Sequence, residues 1–284
     1  MSQGVELLKN LSNSRYDVDI NTIDDVVFNA GSGVFLLGGY DLEMQEIKKI
    51  LDSRPDILLF DERLQWNNAN LSAYEPVLNR YGDISKVMIY GIELRENGAF
   101  PIPSNYCLID HHNKYSTNTS ALEQVAEILN IELTWEQKLI AANDRGYIPE
   151  MQRLGASPEE IRQIRFRDRM AQGVTEEDEL LAVKAIEKRT IEQGVIIVQS
   201  ESNRFSPVCD RLFPYEKLMI YTDDELMYYG QGKERLTAHF DSEIKAGNMF
   251  HGGGAEGYFG AAKGVYSVKE IVSLKNEIIQ LINN

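Results

Sequence analysis

Between about residue 25 and residue 150 the chain repeats one pattern: a short apolar run, a break carrying glycine or an acid, then a stretch of helical periodicity. Few architectures accommodate that alternation. It is how βαβ units with a mostly parallel sheet read, since each strand is covered on both faces and needs a crossover helix to return. Val34-Phe35-Leu36-Leu37 is the first strand run and ends at Gly38-Gly39-Tyr40-Asp41; Met44, Ile47, Ile50 and Leu51 then share one helix face. Arg54-Pro55-Asp56 breaks that helix, and Ile57-Leu58-Leu59-Phe60 is the next strand, with Asp61 at its carboxyl end. Lys86 to Tyr90 and Tyr106 to Ile109 are two further strand runs, the second leading directly into Asp110 and His111. Open α/β sheets bind ligands outside the carboxyl ends of their strands, so these polar residues fall where chemistry is expected.

Two capping boxes, Ser120 with Glu123 and Thr134 with Gln137, open the next helices. The second is expected to run from Trp135 to about Ala142 and to deliver Asn143-Asp144 at its end. Ser157-Pro158-Glu159-Glu160 starts a third helix, with proline in its first turn. Beyond a charged helical region come Val195 to Val198, Lys217 to Tyr221, Glu225 to Tyr229 and Leu236 to Phe240, read as strands. The turns Thr222-Asp223-Asp224 and Gly230-Gln231-Gly232 separate three of them, which predicts a smaller α/β domain with antiparallel strands. The expected organisation is therefore an N-terminal domain over residues 1–155, a helical connector over 156–193 and a C-terminal domain over 194–284.

A chain of 284 residues can bury a substantial core, and its 43% hydrophobic content with no low-complexity tract argues against disorder. Its 29 Lys plus Arg against 44 Asp plus Glu give a formal charge of −15, the wrong sign for neutralising a long phosphate backbone. Long nucleic acid is thus not an expected partner, whereas a small phosphorylated ligand in a local basic pocket is. Arg162, Arg165, Arg167 and Arg169 form one dense basic patch, either such a pocket or a solvated helix face. The start Met1-Ser2-Gln3-Gly4-Val5-Glu6 lacks a signal pattern and no apolar run approaches a bilayer span, so a cytoplasmic protein without membrane partners is expected. Cys107 and Cys209 lack CxxC spacing and read as ordinary thiols.

The densest chemistry is Asp110-His111-His112, one carboxylate and two imidazoles at consecutive positions on a strand's end. Mixed carboxylate and imidazole ligation suits Mn2+ or a related divalent ion better than Ca2+, which prefers oxygen alone. As a bare tripeptide the signal is weak, but the segments downstream of it add context. Ala141-Ala142-Asn143-Asp144-Arg145-Gly146-Tyr147-Ile148 supplies another acid and a turn glycine after two helices. Near the C-terminus, Phe250-His251-Gly252-Gly253-Gly254-Ala255-Glu256-Gly257 has three successive glycines whose backbone N–H groups can approach phosphate oxygens unobstructed by Cβ; the bland reading is a glycine-rich hairpin loop.

These segments, in this order, resemble the DHH/DHHA1 phosphoesterases, and the branch most similar is that of the nanoRNases and oligoribonucleases. Leu108-Ile109-Asp110-His111-His112-Asn113 resembles the family's third signature. The Asp144 stretch resembles the next, an Asp-Thr-Gly-aromatic pattern, with Arg145 in place of Thr. The resemblance implies Asp110, His111, Asp144 and Asp41 as metal ligands, catalytic roles for Asp110, His111 and His112, and a phosphate contact for His112. The first signature, His-x-Asp-x-Asp-Gly, is altered: Asp41 and Glu43 keep two acids at the right spacing without the His and the final Gly, and Asp41 serves equally as a helix N-cap. For the second signature's Asp, Glu93 and Asp61 are rival candidates. The glycine loop resembles the Gly-Gly-Gly-His of the smaller domain, with Ala255 in place of His and His251 ahead of the glycines. His251, Gly252, Gly253, Gly254 and Arg145 are the implied substrate-binding residues.

By resemblance the chain is a phosphoesterase using one or two Mn2+ or Mg2+ ions on a phosphodiester or phosphoanhydride. The acidity favours a small nucleotide-type substrate: a short oligonucleotide, a cyclic dinucleotide or a nucleotide derivative. The altered first signature keeps a second expectation open, a degenerate family member that binds a nucleotide or protein partner without hydrolysing it. The oligomeric state, a homodimer included, stays open.

Overall fold

A computed structural model describes residues 33–283 apart from 85, 99 and 254–256. The N-terminal segment considered for a signal lies outside the described residues. The chain divides into two compact units, the first running to Gln172 and the second beginning at Gly173.

In the first unit, β1 (Gly33–Leu36), β2 (Ile57–Phe60), β3 (Ile89–Ile92) and β4 (Tyr106–Ile109) form a wholly parallel sheet in the order β2-β1-β3-β4. Helices α1 (Leu42–Asp52), α2 (Glu75–Tyr81), α3 (Ala121–Leu129), α4 (Trp135–Leu154) and α5 (Pro158–Ala171) accompany it. All four residues of β1 are buried, as a strand covered on both faces demands. Val34 and Leu36 join Tyr74, Val77, Leu78 and Tyr81 in one core, while Phe35 points the other way and stacks on Tyr90 at 4.7 Å between ring centroids. β3 begins later than the run Lys86 to Tyr90 suggests, because Val87 closes a turn onto the Ile84 carbonyl before pairing starts. That shift brings Glu93 directly to the strand's end.

The predicted capping boxes at Ser120 and Thr134 are formed, with each cap side chain accepting from the N3 amide and the N3 side chain accepting from the cap amide. α4 does not stop at Ala142 but continues to Leu154, broken internally at Gly146 and Tyr147.

The second unit has a six-stranded mixed sheet in the order β5-β6-β7-β8-β10-β9. Its strands are β5 (Thr190–Glu192), β6 (Val195–Gln199), β7 (Lys217–Tyr221), β8 (Leu226–Gly230), β9 (Met249–Gly252) and β10 (Tyr258–Ala261); only β6 and β7 pair in parallel. Helices α6 (Glu176–Glu187) and α7 (Ser206–Leu212) cover one face and α8 (Lys233–His239) and α10 (Val268–Asn283) the other; α9 (Asp241–Lys245) is a short turn of helix before β9. The expected strand Leu236 to Phe240 is helical instead. Leu236 and Phe240 are buried while Ala238 is exposed, a spacing of one helical turn; a strand would have put Ala238 on the same face as Leu236. The place beside β8 is taken by β10.

Among the described residues no helix is long and apolar enough to cross a membrane. The basic patch of α5 is divided between surface and interior. Arg162 and Arg167 pair with Glu159 and Glu136 on the outside, whereas Arg165 and Arg169 are buried.

Candidate metal centre

Strand order reverses between β1 and β3, since β2 lies to one side of β1 and β3 to the other. At such a switch point the connections leave the sheet in opposite directions and open a crevice beyond the carboxyl ends. Three segments distant in sequence deliver four donor side chains there. Glu93 follows β3, His111 and His112 follow β4, and Asp144 comes from α4; one ligand atom from each lies within 4.8 Å of the others. His111 Nε2 is 2.6 Å from Asp144 Oδ2, 3.1 Å from Glu93 Oε1 and 3.8 Å from Glu43 Oε2. His112 Nε2 is 3.4 Å from the same Glu93 oxygen.

Local backbone explains how each arrives. Glu93 holds φ at +52°, uncommon for a residue with a side chain, and its amide donates to the Ile109 carbonyl at 2.8 Å. That bond ties the end of β3 to the end of β4, so Glu93 and the histidines emerge together. Asp144 sits just before the break in α4, where Tyr147 has φ 60° and ψ −148°. Strained backbone of this kind persists where the surroundings over-determine it. Here α5 supplies the surroundings: Arg165 donates to Asn143 Oδ1 at 2.8 Å and lies 4.5 Å above the Tyr147 ring.

The donors are buried and unsatisfied. Glu43 Oε2, both Glu93 oxygens, His111 Nε2, His112 Nε2 and Asp144 Oδ2 are sequestered without a hydrogen-bond partner, even where they approach closely. A lost hydrogen bond costs about 1–3 kcal/mol and an unpaired buried charge several more, so native structures keep such groups rare unless something else binds them. Charge crowding points the same way. Burial, then the charges of Asp144 and Glu93, pushes the Asp41 and Glu43 carboxyls well above the ordinary range. Burial works against the His111 imidazolium, but Asp144 and Glu93 override it and bring its pKa up to about 10. Glu93 likewise raises His112. Two unit charges 4 Å apart interact by about 4 kcal/mol at an effective dielectric of about 20, so a divalent cation among these groups would relieve repulsion and desolvation together. Two imidazoles with carboxylates match the ligand preference of a first-row divalent ion.

The other expected site residues lie around or away from this group. Asp41 is buried at the edge of the acidic group and is the N-cap of α1, its Oδ1 accepting from the Met44 amide at 2.8 Å. Glu43 points its Oε1 at the Leu122 amide, 3.1 Å away at the start of α3, and its Oε2 at His111. Asp110 lies outside the four-donor group; its Oδ1 accepts from the His112 amide at 2.8 Å, a local turn that aims the two histidines. Asp61 ends β2 and is occupied by Lys48 at 3.3 Å and the Arg63 amide at 2.8 Å, so of the two rivals Glu93 is the one beside the histidines. Arg145 pairs with Glu123 and Glu150. His251 is exposed on β9, paired in register with Phe259; Gly252 ends β9 opposite Tyr258, and Gly253 begins the β9–β10 hairpin loop. There Gly253 has φ +66°, and the buried Lys233 donates to the Gly252 carbonyl at 3.0 Å. Gly254 lies outside the described residues.

One residue at the site carried no signal in the sequence. Trp66, in a 3-10 turn after β2, meets the His112 ring edge-on at 5.2 Å between centroids. A tryptophan in a polar loop has no pattern to announce it.

No protein-family model and no curated protein matches this chain. Among solved structures it is similar to a DHH domain described as a member of the S1p family of ribosomal proteins, with a TM-score of 0.52 and 13% identity over 99% of this chain and 93% of that one. It is also similar to RecJ in complex with Mn2+ from Thermus thermophilus, with a TM-score of 0.44 and 12% identity over 98% and 54% of the two chains. A third similarity is to exonuclease RecJ bound to manganese, with a TM-score of 0.42 and 11% identity over 98% and 94%. The first likeness shows the fold: a parallel four-stranded sheet flanked by helices, followed by a smaller mixed-sheet unit, is the architecture of a DHH-domain protein.

Proposed function

We propose that the chain is a metal-dependent phosphoesterase acting on a small nucleotide-type phosphate ester, with Glu93, His111, His112 and Asp144 holding one divalent ion, Mn2+ or Mg2+. The observation that carries the reading is the set of buried donor atoms without hydrogen-bond partners at the strand switch point. A divalent ion there supplies Lewis-acid polarisation of a phosphoryl oxygen and lowers the pKa of water. The chain's own residues do the rest. Glu93 and Asp144 supply the negative charge that retains a cation, and His111, 4% exposed at its side chain, is fixed between them. His112 keeps its Nε2 buried while 36% of its side chain is exposed, so its ring lies at the solvent-facing border of the centre and marks the face at which a phosphoryl group enters. Asp41 and Glu43 surround the ion with further negative charge while anchoring the first turns of α1 and α3.

The deciding experiment is Mn2+-dependent hydrolysis of bis-p-nitrophenyl phosphate by the purified chain and its loss in His111→Ala. A second reading, binding of a nucleotide or protein partner without turnover, is favoured by one observation: Asp41 Oδ1 and Asp110 Oδ1 are both committed to backbone amides. No turnover across a panel of nucleotides, together with no bound Mn2+ by elemental analysis, would overturn the catalytic reading and leave the second; Mn2+-dependent turnover would overturn the second.

A further inference from the structure

Trp66 is 38% exposed, yet its position is set with care. The indole lies against Gly39, where a Cβ would come within 2.6 Å of Cδ2 and 2.9 Å of Cε2, the atoms of the ring fusion. Contact at the fusion bond means that one face of the ring is laid on the Gly39 backbone, so the exposure belongs to the rest of the ring. The turn bearing it is pinned from two sides: the Arg95 guanidinium donates to the Trp66 carbonyl at 3.1 Å and the Asn67 carbonyl at 2.6 Å, and the Tyr40 amide donates to the Leu64 carbonyl at 3.0 Å. His112 stands perpendicular to the indole at 89°. A rigidly held, partly open aromatic surface thus borders the outward histidine of the metal centre.

We infer that Trp66 is a specificity-determining residue: a planar aromatic group of the substrate, a nucleobase, stacks on its open side while the attached phosphate lies at His112. The inference rests on the proposed phosphoesterase reading for the placement of the phosphate. Stacking of a base on an aromatic side chain tolerates any base, because every base presents a π-face. Gly39 belongs to the same device, since any side chain there displaces the ring.

The chain has two tryptophans, and the other, Trp135, is 45% exposed and donates to Glu160 at 2.7 Å, so a Trp135→Phe chain leaves Trp66 as its sole tryptophan. In that chain Mn2+ alone is expected to quench the emission, and adenosine 5′-monophosphate to change it further. Calorimetry on the full chain is expected to show the same nucleotide binding about tenfold more tightly than ribose 5-phosphate, the scale of one stacking contact. Trp66→Leu abolishes that preference with Mn2+ affinity unchanged, and Gly39→Ala weakens it with the indole still present. Equal affinity for the two phosphates, or a preference that survives Trp66→Leu, would overturn the role of Trp66. Absence of Mn2+ binding alongside an intact base preference would instead overturn the metal reading and leave Trp66 as a base platform.

Discussion

His111 Nε2 and Asp144 Oδ2 lie 2.6 Å apart, buried, one from the end of β4 and one from the middle of α4, and neither makes a hydrogen bond. Two ligand atoms crowded this closely are placed to share one cation. Loss of either should therefore act on metal binding before stability. His111→Ala and Asp144→Asn are each expected to weaken Mn2+ binding by more than the about 10–100-fold that an outer-shell partner costs, measured by calorimetry on chelator-treated protein. Unchanged affinity in both would place the ion elsewhere.

Stoichiometry is the next test. The compact donor set predicts one tightly bound Mn2+ per chain by elemental analysis after desalting. Two equivalent ions, with Asp41 and Asp110 binding through the oxygens that do not accept from backbone amides, would refute the single-centre description.

Acidity gives a prediction of definite sign. Asp41 and Glu43 are raised above their unfolded values, and His111 is raised to about 10 from 6.5, so the metal-free native state holds more protons than the unfolded chain. Stability then falls as pH rises, from about pH 4 for the carboxyls and from about pH 6.5 up to about 10 for His111. Thermal melts in chelator from pH 6 to 9 should show a declining Tm. Added Mn2+ should raise Tm by an amount that grows with pH, because the ion displaces those protons. A chelated Tm that is flat or rising over this range contradicts the assignment.

Glu43 separates the two states. Glu43→Gln keeps an acceptor for the Leu122 amide while removing one charge from the acidic group. The metal-free protein should gain stability, since a neutral amide escapes the burial and like-charge repulsion that push this carboxyl up, and Mn2+ affinity should fall. Denaturant melts with and without the ion read both effects, and a change of the same sign in each would show that Glu43 does not sense the ion.

Asp61 serves as the contrast. Its carboxylate is engaged by Lys48 and the Arg63 amide away from the histidines, so Asp61→Asn should leave Mn2+ stoichiometry intact and cost less than about 1 kcal/mol, the range of a partly exposed ion pair. Loss of metal in this variant would restore it as a ligand.

The local patterns of the chain settled a good deal by themselves. Apolar runs bounded by Gly38-Gly39, by Pro55 and by Asp110 marked three of the four parallel strands, and the serine and threonine of two capping boxes marked where α3 and α4 begin. These are demands met within a turn or two, so neighbouring residues record them. Leu236 to Phe240 shows where that record is ambiguous: five residues satisfy a period of two and a helical turn alike, and only the packing of Leu236 and Phe240 into one core decided for helix. The site is ambiguous for a different reason. Asp41, Asp61, Glu93 and Asp110 are all acids at or near strand ends, and nothing local ranks them. Reversal of strand order between β1 and β3 brings Glu93, His111, His112 and Asp144 into one crevice, while a neighbouring amide or lysine engages Asp41, Asp110 and Asp61. Trp66 had no local signature at all, because its place depends on a loop folding back over a glycine. Residue order determined which segments become strands and helices; convergence across the sheet, a property of long-range packing, decided which polar groups meet.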